Sequence, residues 1–236
     1  MIEQGADIID VGGESTRPGS EHVEIDEELR RVIPVISALA RNPEAVISID
    51  TMHAEVAKQA MEAGASIIND VSALTYDKEM LDVALKYQPG IILMHMKGTP
   101  KTMQENPCYQ NVTEEVKTFL CERASTLISA GIDKESIAID PGIGFGKTLE
   151  HNVKLLAELD SLQQPGYPIV VGVSRKSFIG KITGREVSER LAGTIAAVVF
   201  CILKGANILR VHDVKETVDA VKVIMNLSAG EQLWLK

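Results

Sequence analysis

The rhythm of the chain constrains its fold more than any other feature. Short, nearly continuous runs of β-branched and other apolar residues recur at 7–11, 45–50, 66–71, 90–94, 136–140, 169–173 and 207–211. Runs of this kind suit strands covered on both faces, and the longer amphipathic stretches between them suit helices. Those stretches lie at 25–41, 53–64, 77–87, 111–130, 150–162, 188–204 and 214–228. The last is marked by Asp213 as a cap and Glu216 three residues on, the spacing of a capping box. Val214, Val218, Val221 and Met225 then fall on one helical face. No linker rich in Pro, Gly or Ser divides the 236 residues, so one domain over 1–236 is expected.

Repeated β-then-α order implies a parallel sheet. Two closures compete: an open doubly wound sheet and a (β/α)8 TIM barrel. Unbroken alternation over so many units favours the barrel, and no dinucleotide fingerprint follows the first strand. Yet seven strands and seven helices are counted where a regular barrel has eight of each.

Composition removes several classes. A net charge of −9 argues against a general nucleic-acid binder, which needs a basic surface to displace counterions. The longest apolar run, 195–203, is far short of the roughly 18–20 residues that span a bilayer. Met1-Ile-Glu-Gln-Gly5 offers no basic stretch followed by an apolar one. Cys108, Cys121 and Cys201 are odd in number and widely spaced, as expected of reduced thiols in the cytoplasm.

In a parallel barrel, chemistry sits where strands end and βα loops begin. Those positions here carry Glu14, Ser15, Thr16 and Arg17; Asp50 and Thr51; Asn69 and Asp70; His95 and Lys97; Asp140; Ser174, Arg175 and Lys176; and Arg210, His212 and Asp213. The opposite rim is entered through Gly-Ala, Asn-Pro and Gln-Pro-Gly turns. The asymmetry points to an enzyme or small-molecule binder. Acceptors (Asp50, Asn69, Asp140) suit a nitrogen-rich ring, and cations (Arg17, Lys176, Arg210, with His212) suit an anionic group such as phosphate.

Plainer roles compete at each position. Asp50 equally suits a helix cap, Asn69-Asp70 a turn pair, and Arg210 with Asp213 a structural ion pair. His95, flanked by Met94 and Met96, reads as a packed rim residue. His22, His53 and His151 read as surface residues, and no two histidines share a ligand-like spacing, so no protein metal site is expected. Pro141-Gly-Ile-Gly-Phe-Gly-Lys-Thr148 looks like a phosphate loop, but Pro141 stands where that motif requires Gly.

Taken together, the strand-end segments carry a family resemblance. They are Asp10-Val-Gly-Gly-Glu-Ser-Thr-Arg-Pro-Gly19, Ser48-Ile-Asp-Thr51, Ile67-Ile-Asn-Asp70, Leu93-Met-His-Met96, Asp140-Pro-Gly-Ile-Gly-Phe-Gly-Lys147, Ser174-Arg-Lys-Ser177 and Arg210-Val-His-Asp213. The chain resembles the dihydropteroate synthases, pterin-binding barrel enzymes of folate biosynthesis and the targets of sulfonamides. The resemblance implies a transferase, usually dimeric, that joins p-aminobenzoate to 6-hydroxymethyl-7,8-dihydropterin diphosphate and releases pyrophosphate. It implies that Asp50, Asn69, Asp140 and Lys176 hold the pterin, in a pocket shaped by Met94, Phe145 and Gly172. Arg210 would lie against the pterin face and, with His212, help hold the diphosphate; Thr16, Arg17, Ser177 and Phe145 would form the p-aminobenzoate side. Magnesium would travel with the diphosphate. Pterin-dependent methyltransferases share the barrel and are the rival class, and a non-catalytic pterin-binding remnant is a second alternative.

One departure qualifies the resemblance. The family's opening strand and its Ile-Leu-Asn-Val-Thr-Pro-Asp-Ser-Phe type of loop have no counterpart here, and with them goes an Asn of the metal–diphosphate site. A truncated copy of a normal enzyme and a crippled natural chain both fit. Either way, two strand edges are left open, from which poor solubility and weak turnover are expected.

Overall fold

A computed structural model describes residues 1–16, 19–99 and 102–234, with side chains through 228. The expected alternation is present. Strands β1 (Ile8–Gly12), β2 (Val46–Asp50), β3 (Ile67–Asp70), β4 (Gly90–Met94), β5 (Ile137–Asp140), β6 (Val170–Val171) and β7 (Ile208–Leu209) follow one another in chain order. Between and after them lie helices α1 (Ile25–Leu39), α2 (Ala54–Glu62), α3 (Met80–Tyr87), α4 (Val112–Ala130), α5 (Leu149–Ala157), α6 (Ser177–Thr183), α7 (Leu191–Leu203) and α8 (Val214–Trp234).

Every strand pair is parallel. β1 to β5 form one sheet in sequential order and β6 pairs with β7. A bridge between Ile139 and Ile169 carries the pairing across from β5. The last two strands are short because side chains take over their ends. Asn207 Oδ1 accepts from the Ile169 N–H at 2.9 Å, and Ser174 Oγ accepts from the His212 N–H at 3.2 Å.

The register sorts the side chains. Ile47, Ile49, Ile68, Ile91, Leu93, Ile137 and Ile139 face outward, all buried, against Val56, Ala57 and Ala60 of α2, Leu120 and Leu127 of α4, and Leu155 of α5. Each such isoleucine or leucine withdraws enough apolar surface to stabilise the fold by about 1.5–3 kcal/mol. The inward positions lower in the strands, Ile92, Ala138 and Val170 with Ile67 and Ile208, form a second apolar layer.

This is the seven-strand (β/α) arrangement, one unit short of a closed (β/α)8 barrel. β1 and β7 form no ladder with each other among the described residues. Both are less buried than β5 in the middle of the run. Across that seam, α8 packs on the short 3-10 turn Ile2–Gln4, and at the upper rim Arg210 reaches over to Asp10. Helix α6 lies outside the expected elements; at seven residues it is too short to show a period.

Candidate active site at the carboxyl ends of the strands

Parallel pairing places Asp10 beside Ser48, Asp50 beside Asn69, Asn69 beside Ile92 and Met94 beside Asp140. Side chains alternate along a strand, so this register puts Asp10, Asp50, Asn69, Met94 and Asp140 on the inner face together. Gly172 and Arg210 extend β6 and β7 on the same parity. Asp70 takes the opposite face. There it closes a turn, accepting from the Ser72 N–H and Oγ and from the Leu74 N–H, with its pKa raised to about 6 by burial. Of the Asn69-Asp70 pair, one residue therefore serves the interior and the other the turn.

The centre of the inner face is a web around one guanidinium. Arg210 donates through Nη2 to Asp50 Oδ2 at 2.7 Å and through Nε to Asp10 Oδ2 at 2.5 Å. Asn69 Nδ2 donates to the same Asp10 oxygen at 3.2 Å. Two acids near one cation in a desolvated place cannot both ionise cheaply. Burial first, and the neighbouring Asp10 second, push the Asp50 pKa up to about 7 against the pull of Arg210. Burial opposes the charge on Arg210, but Asp50 and Asp10 hold its pKa above the ordinary value. Oδ1 of Asp10 and Oδ1 of Asp50 are both buried without a donor among the described residues. Buried acceptors are rarely left so.

The other predicted residues surround this web. Asp140 is buried, which raises its pKa; it accepts from the Gly142 N–H at 2.7 Å and feels Lys176 and Arg210 electrostatically. Lys176 Nζ stands 4.2 Å over the ring of Phe145, within cation–π range. Met94 packs with Met52 and Val71, and Met96 and Phe145 lie against that group. Gly172 lies beside Arg210, whose Cβ is 3.9 Å from where a Cβ on residue 172 would stand. His212 pairs through Nδ1 with Ser174 Oγ at 3.0 Å. Ser177 is exposed at the start of α6, and Thr16 is half-buried after β1. No hydrogen bond joins Thr16 to the web among the described residues, and Arg17 lies outside them.

Several plainer readings change. Asp213 pairs with Arg175, at 3.0 Å to Nε and 2.5 Å to Nη2, and not with Arg210. Both Asp213 oxygens thus accept from Arg175, and among the described residues neither accepts from a backbone N–H of α8. Asp50 caps nothing: the Ala54 N–H at the start of α2 goes to Asp77 Oδ2 at 2.8 Å. His95 is packed as expected, edge-on to Phe119. His53 is not a surface residue. It is buried and hydrogen-bonds to the buried Glu28 at 2.8 Å. His151 caps α5 in a box with Thr148.

The glycine-rich segment 141–148 is not a phosphate cradle. Its Lys147 is buried, with Nζ bonded to the carbonyls of Gly142 and Phe145 at 3.0 Å and to His95 Nδ1 at 3.0 Å. Burial lowers the Lys147 pKa to about 7, and burial together with that ammonium lowers His95 to about 3. Lysine here stitches the loop to the end of β4. Gly142 makes the approach possible: its φ is +66°, and a Cβ there would lie 1.9 Å from the His95 carbonyl oxygen. Gly142→Ala is therefore expected to cost about 3 kcal/mol. That corresponds to a Tm fall of about 6–12 °C in a thermal melt. A variant melting within about 2 °C of the parent, less than 1 kcal/mol for a chain of this size, would show that the loop accommodates the methyl group.

Sequence reasoning passed over Asp10, Lys147 and Arg190. Asp10 opens the segment Asp10–Gly19, and its place two residues before the end of β1 was the available signal. Arg190 donates to the carbonyl oxygens of Arg175 (3.1 Å) and Lys176 (3.5 Å), supporting the segment that presents Lys176; nothing local in the sequence announced it.

The strand-end web and the two-layer interior define a barrel with an acid-rich inner rim, and residues 1–212 match the family model described as pterin binding enzyme. The chain belongs to that family. Within it the likeness is to dihydropteroate synthases. The Escherichia coli (strain K12) enzyme is 49% identical over 232 residues, covering 98% of this chain and 82% of its own length. The Yersinia pestis synthase, in complex with a sulfonamide drug, superposes with a TM-score of 0.94 at 41% identity, over 97% of this chain and 82% of that one. The Xanthomonas albilineans synthase with 4-aminobenzoic acid gives 0.91 at 47% identity, over 97% and 81%. No helix among the described residues is long and apolar enough to cross a membrane.

Proposed function

We propose that this chain makes 7,8-dihydropteroate, joining p-aminobenzoate to 6-hydroxymethyl-7,8-dihydropterin diphosphate with release of pyrophosphate. The observation that carries this reading is the pair of buried acceptor oxygens, Asp10 Oδ1 and Asp50 Oδ1, left without donors among the described residues. An aminopyrimidinone edge supplies N–H groups, and a site built for them rejects rings that lack them. Asn69 and Asp140 extend the same polar lining, and Met94, Phe145 and Gly172 leave room for a flat ring.

The bond from the pterin methylene to the diphosphate oxygen breaks with both electrons leaving on the diphosphate. Positive charge then grows on the methylene and the ring. Ionised Asp50 stabilises it where it develops, in a site already arranged and partly dry. The aniline nitrogen of p-aminobenzoate attacks with its lone pair and sheds a proton to solvent. Arg210 and His212 hold the departing diphosphate, and Lys176 sits over the Phe145 ring at the boundary between the two substrates. Thr16, Arg17 and Ser177 serve the p-aminobenzoate side. Magnesium would come with the substrate, since Asp10 and Asp50 are already engaged by Arg210 and Asn69. It would be held mainly by the diphosphate, whose charge it would offset.

We place the protein in the cytoplasm, since its three cysteines are free thiols. We also read it as a homodimer. Phe200 and Leu203 on α7 and Val223 and Met225 on α8 are all exposed, an apolar face on two helices that pack together. An equilibrium mass of one chain would remove the dimer.

Product formation from the two substrates, with pterin binding measured separately, tests the function. Product together with pterin binding is the expected result. Binding without product would make the chain a pterin-binding remnant, and absence of both would defeat the reading.

A further inference from the structure

A second cluster of ionisable side chains lies apart from the strand-end web. Glu14 follows β1, His22 precedes α1, and His53 sits at the start of α2. One ligand-type atom from each of the three lies within 4.8 Å of the others. His22 Nδ1 is 3.2 Å from Glu14 Oε1, and the two imidazole rings are centred 5.7 Å apart. Gly13 brings the segment in. A Cβ there would fall 2.8 Å from Glu28 Cγ and 2.9 Å from a methyl of Val32, so glycine lets the backbone at residue 13 pass close to α1.

Glu28 supplies an independent observation. It is 1% exposed, in the middle of an apolar helix face, and its Oε2 engages His53 Nδ1 at 2.8 Å. Its other oxygen, Oε1, is buried with no partner among the described residues, and so is Oε2 of Glu14. Two carboxylates with orphaned buried oxygens beside two imidazoles form an acceptor-rich cluster suited to a cation. The Glu28–His53 contact is also the usual companion of a metal-bound histidine. A carboxylate on one ring nitrogen fixes the tautomer and raises the basicity of the other nitrogen toward a metal. Two imidazoles and one carboxylate match zinc and its neighbours in the transition series, and are a poor match for magnesium or calcium.

We propose that Glu14, His22 and His53, backed by Glu28, form a site for a divalent transition metal of the zinc class. The bound ion would join the segment after β1 to the starts of α1 and α2. No step of the dihydropteroate reaction depends on it. A ligand set spread over residues 14, 22, 28 and 53 has no motif spacing, which is why the sequence alone argued against a histidine metal site.

The test is titration of the purified, metal-stripped chain with Co2+ and Zn2+, in a Cys108→Ser background so that the exposed thiol does not compete. One equivalent of Co2+ is expected, with visible d–d absorption, displaced by Zn2+ and not by Mg2+. His22→Ala, at an exposed position, and Glu14→Gln are each expected to weaken binding at least tenfold. Glu28→Gln is expected to weaken it about 10–100-fold, as loss of a second-layer partner does. Zn2+ should also slow backbone hydrogen exchange at residues 13–16 and 19–22 in the parent and not in His22→Ala. Absence of stoichiometric Co2+ binding, affinity unchanged in both His22→Ala and Glu14→Gln, or displacement by Mg2+ would each overturn the proposal.

Discussion

Asp50→Asn is expected to lower kcat/KM for dihydropteroate formation by about 10²–10³, while the folded protein becomes more stable at pH 8. The loss follows from removing the negative charge beside the developing cation. The gain follows from the carboxylate's unfavourable setting. Burial and Asp10 hold the Asp50 pKa at about 7, against an ordinary value of 3.8. The folded chain therefore keeps this proton to higher pH than the unfolded chain does. Between those values the folded state binds more protons, so wild-type stability falls as pH rises from about 4 through about 7. Asparagine cannot ionise and escapes that fall. The advantage of the variant should be small at pH 4–5, grow toward pH 7 and level off above it, despite the lost contact to Arg210. Thermal melts across this range read it out, each kcal/mol moving Tm by roughly 2–4 °C. Equal pH profiles for the two proteins would mean that Asp50 is not strained in the folded state.

Arg210→Ala is the second large expected effect, because Arg210 serves the site and the seam together. It reaches from β7 to Asp10 on β1 and Asp50 on β2, where no backbone ladder connects β7 with β1 among the described residues. Removing it leaves two mostly buried carboxylates side by side with no cation. Breaking a buried pair costs about 3–5 kcal/mol. Half of the Arg210 side chain is exposed, so solvent screening reduces this to about 1–3 kcal/mol. A Tm lower by about 2–12 °C is expected. Turnover should fall by about 10²–10³ with the loss of a positive group facing the diphosphate. Adding Asp10→Asn to Arg210→Ala should recover part of the lost Tm, by easing the repulsion, and none of the turnover. A double variant less stable than Arg210→Ala would show that the two acids do not repel at this seam.

Much of the barrel was legible because it depends on local pattern. A strand buried on both faces must be apolar along its length, so all seven strands could be read without tertiary information. The helices were legible where they are long and amphipathic. α6 was not, because seven residues cannot show a period, and the ends of β6 and β7 were overestimated because Asn207 and Ser174 replace ladder bonds with side-chain ones. At the site, Asp50, Asn69, Asp140 and Arg210 could be placed on one rim, since strand ends are positions in sequence, and the register sets them on the same inner face.

Partnership was not legible. Whether Arg210 meets Asp213 or Asp10, and whether Asp213 caps α8 or holds Arg175, depends on distances that neighbouring sequence does not encode. Nor could sequence show that Lys147 would be buried under carbonyls, or that His22 and His53, 31 residues apart, would face one another. By itself the sequence determined the parallel βα order, the apolar strand layers and which rim carries the chemistry, because these follow from hydrophobic period and strand direction. Only the tertiary structure decided which charges neutralise each other, which acid is left strained and what spans the gap between β1 and β7. Coulombic pairing and desolvation depend on distance in space, and the fold brings residue 210 to within hydrogen-bonding reach of residues 10 and 50.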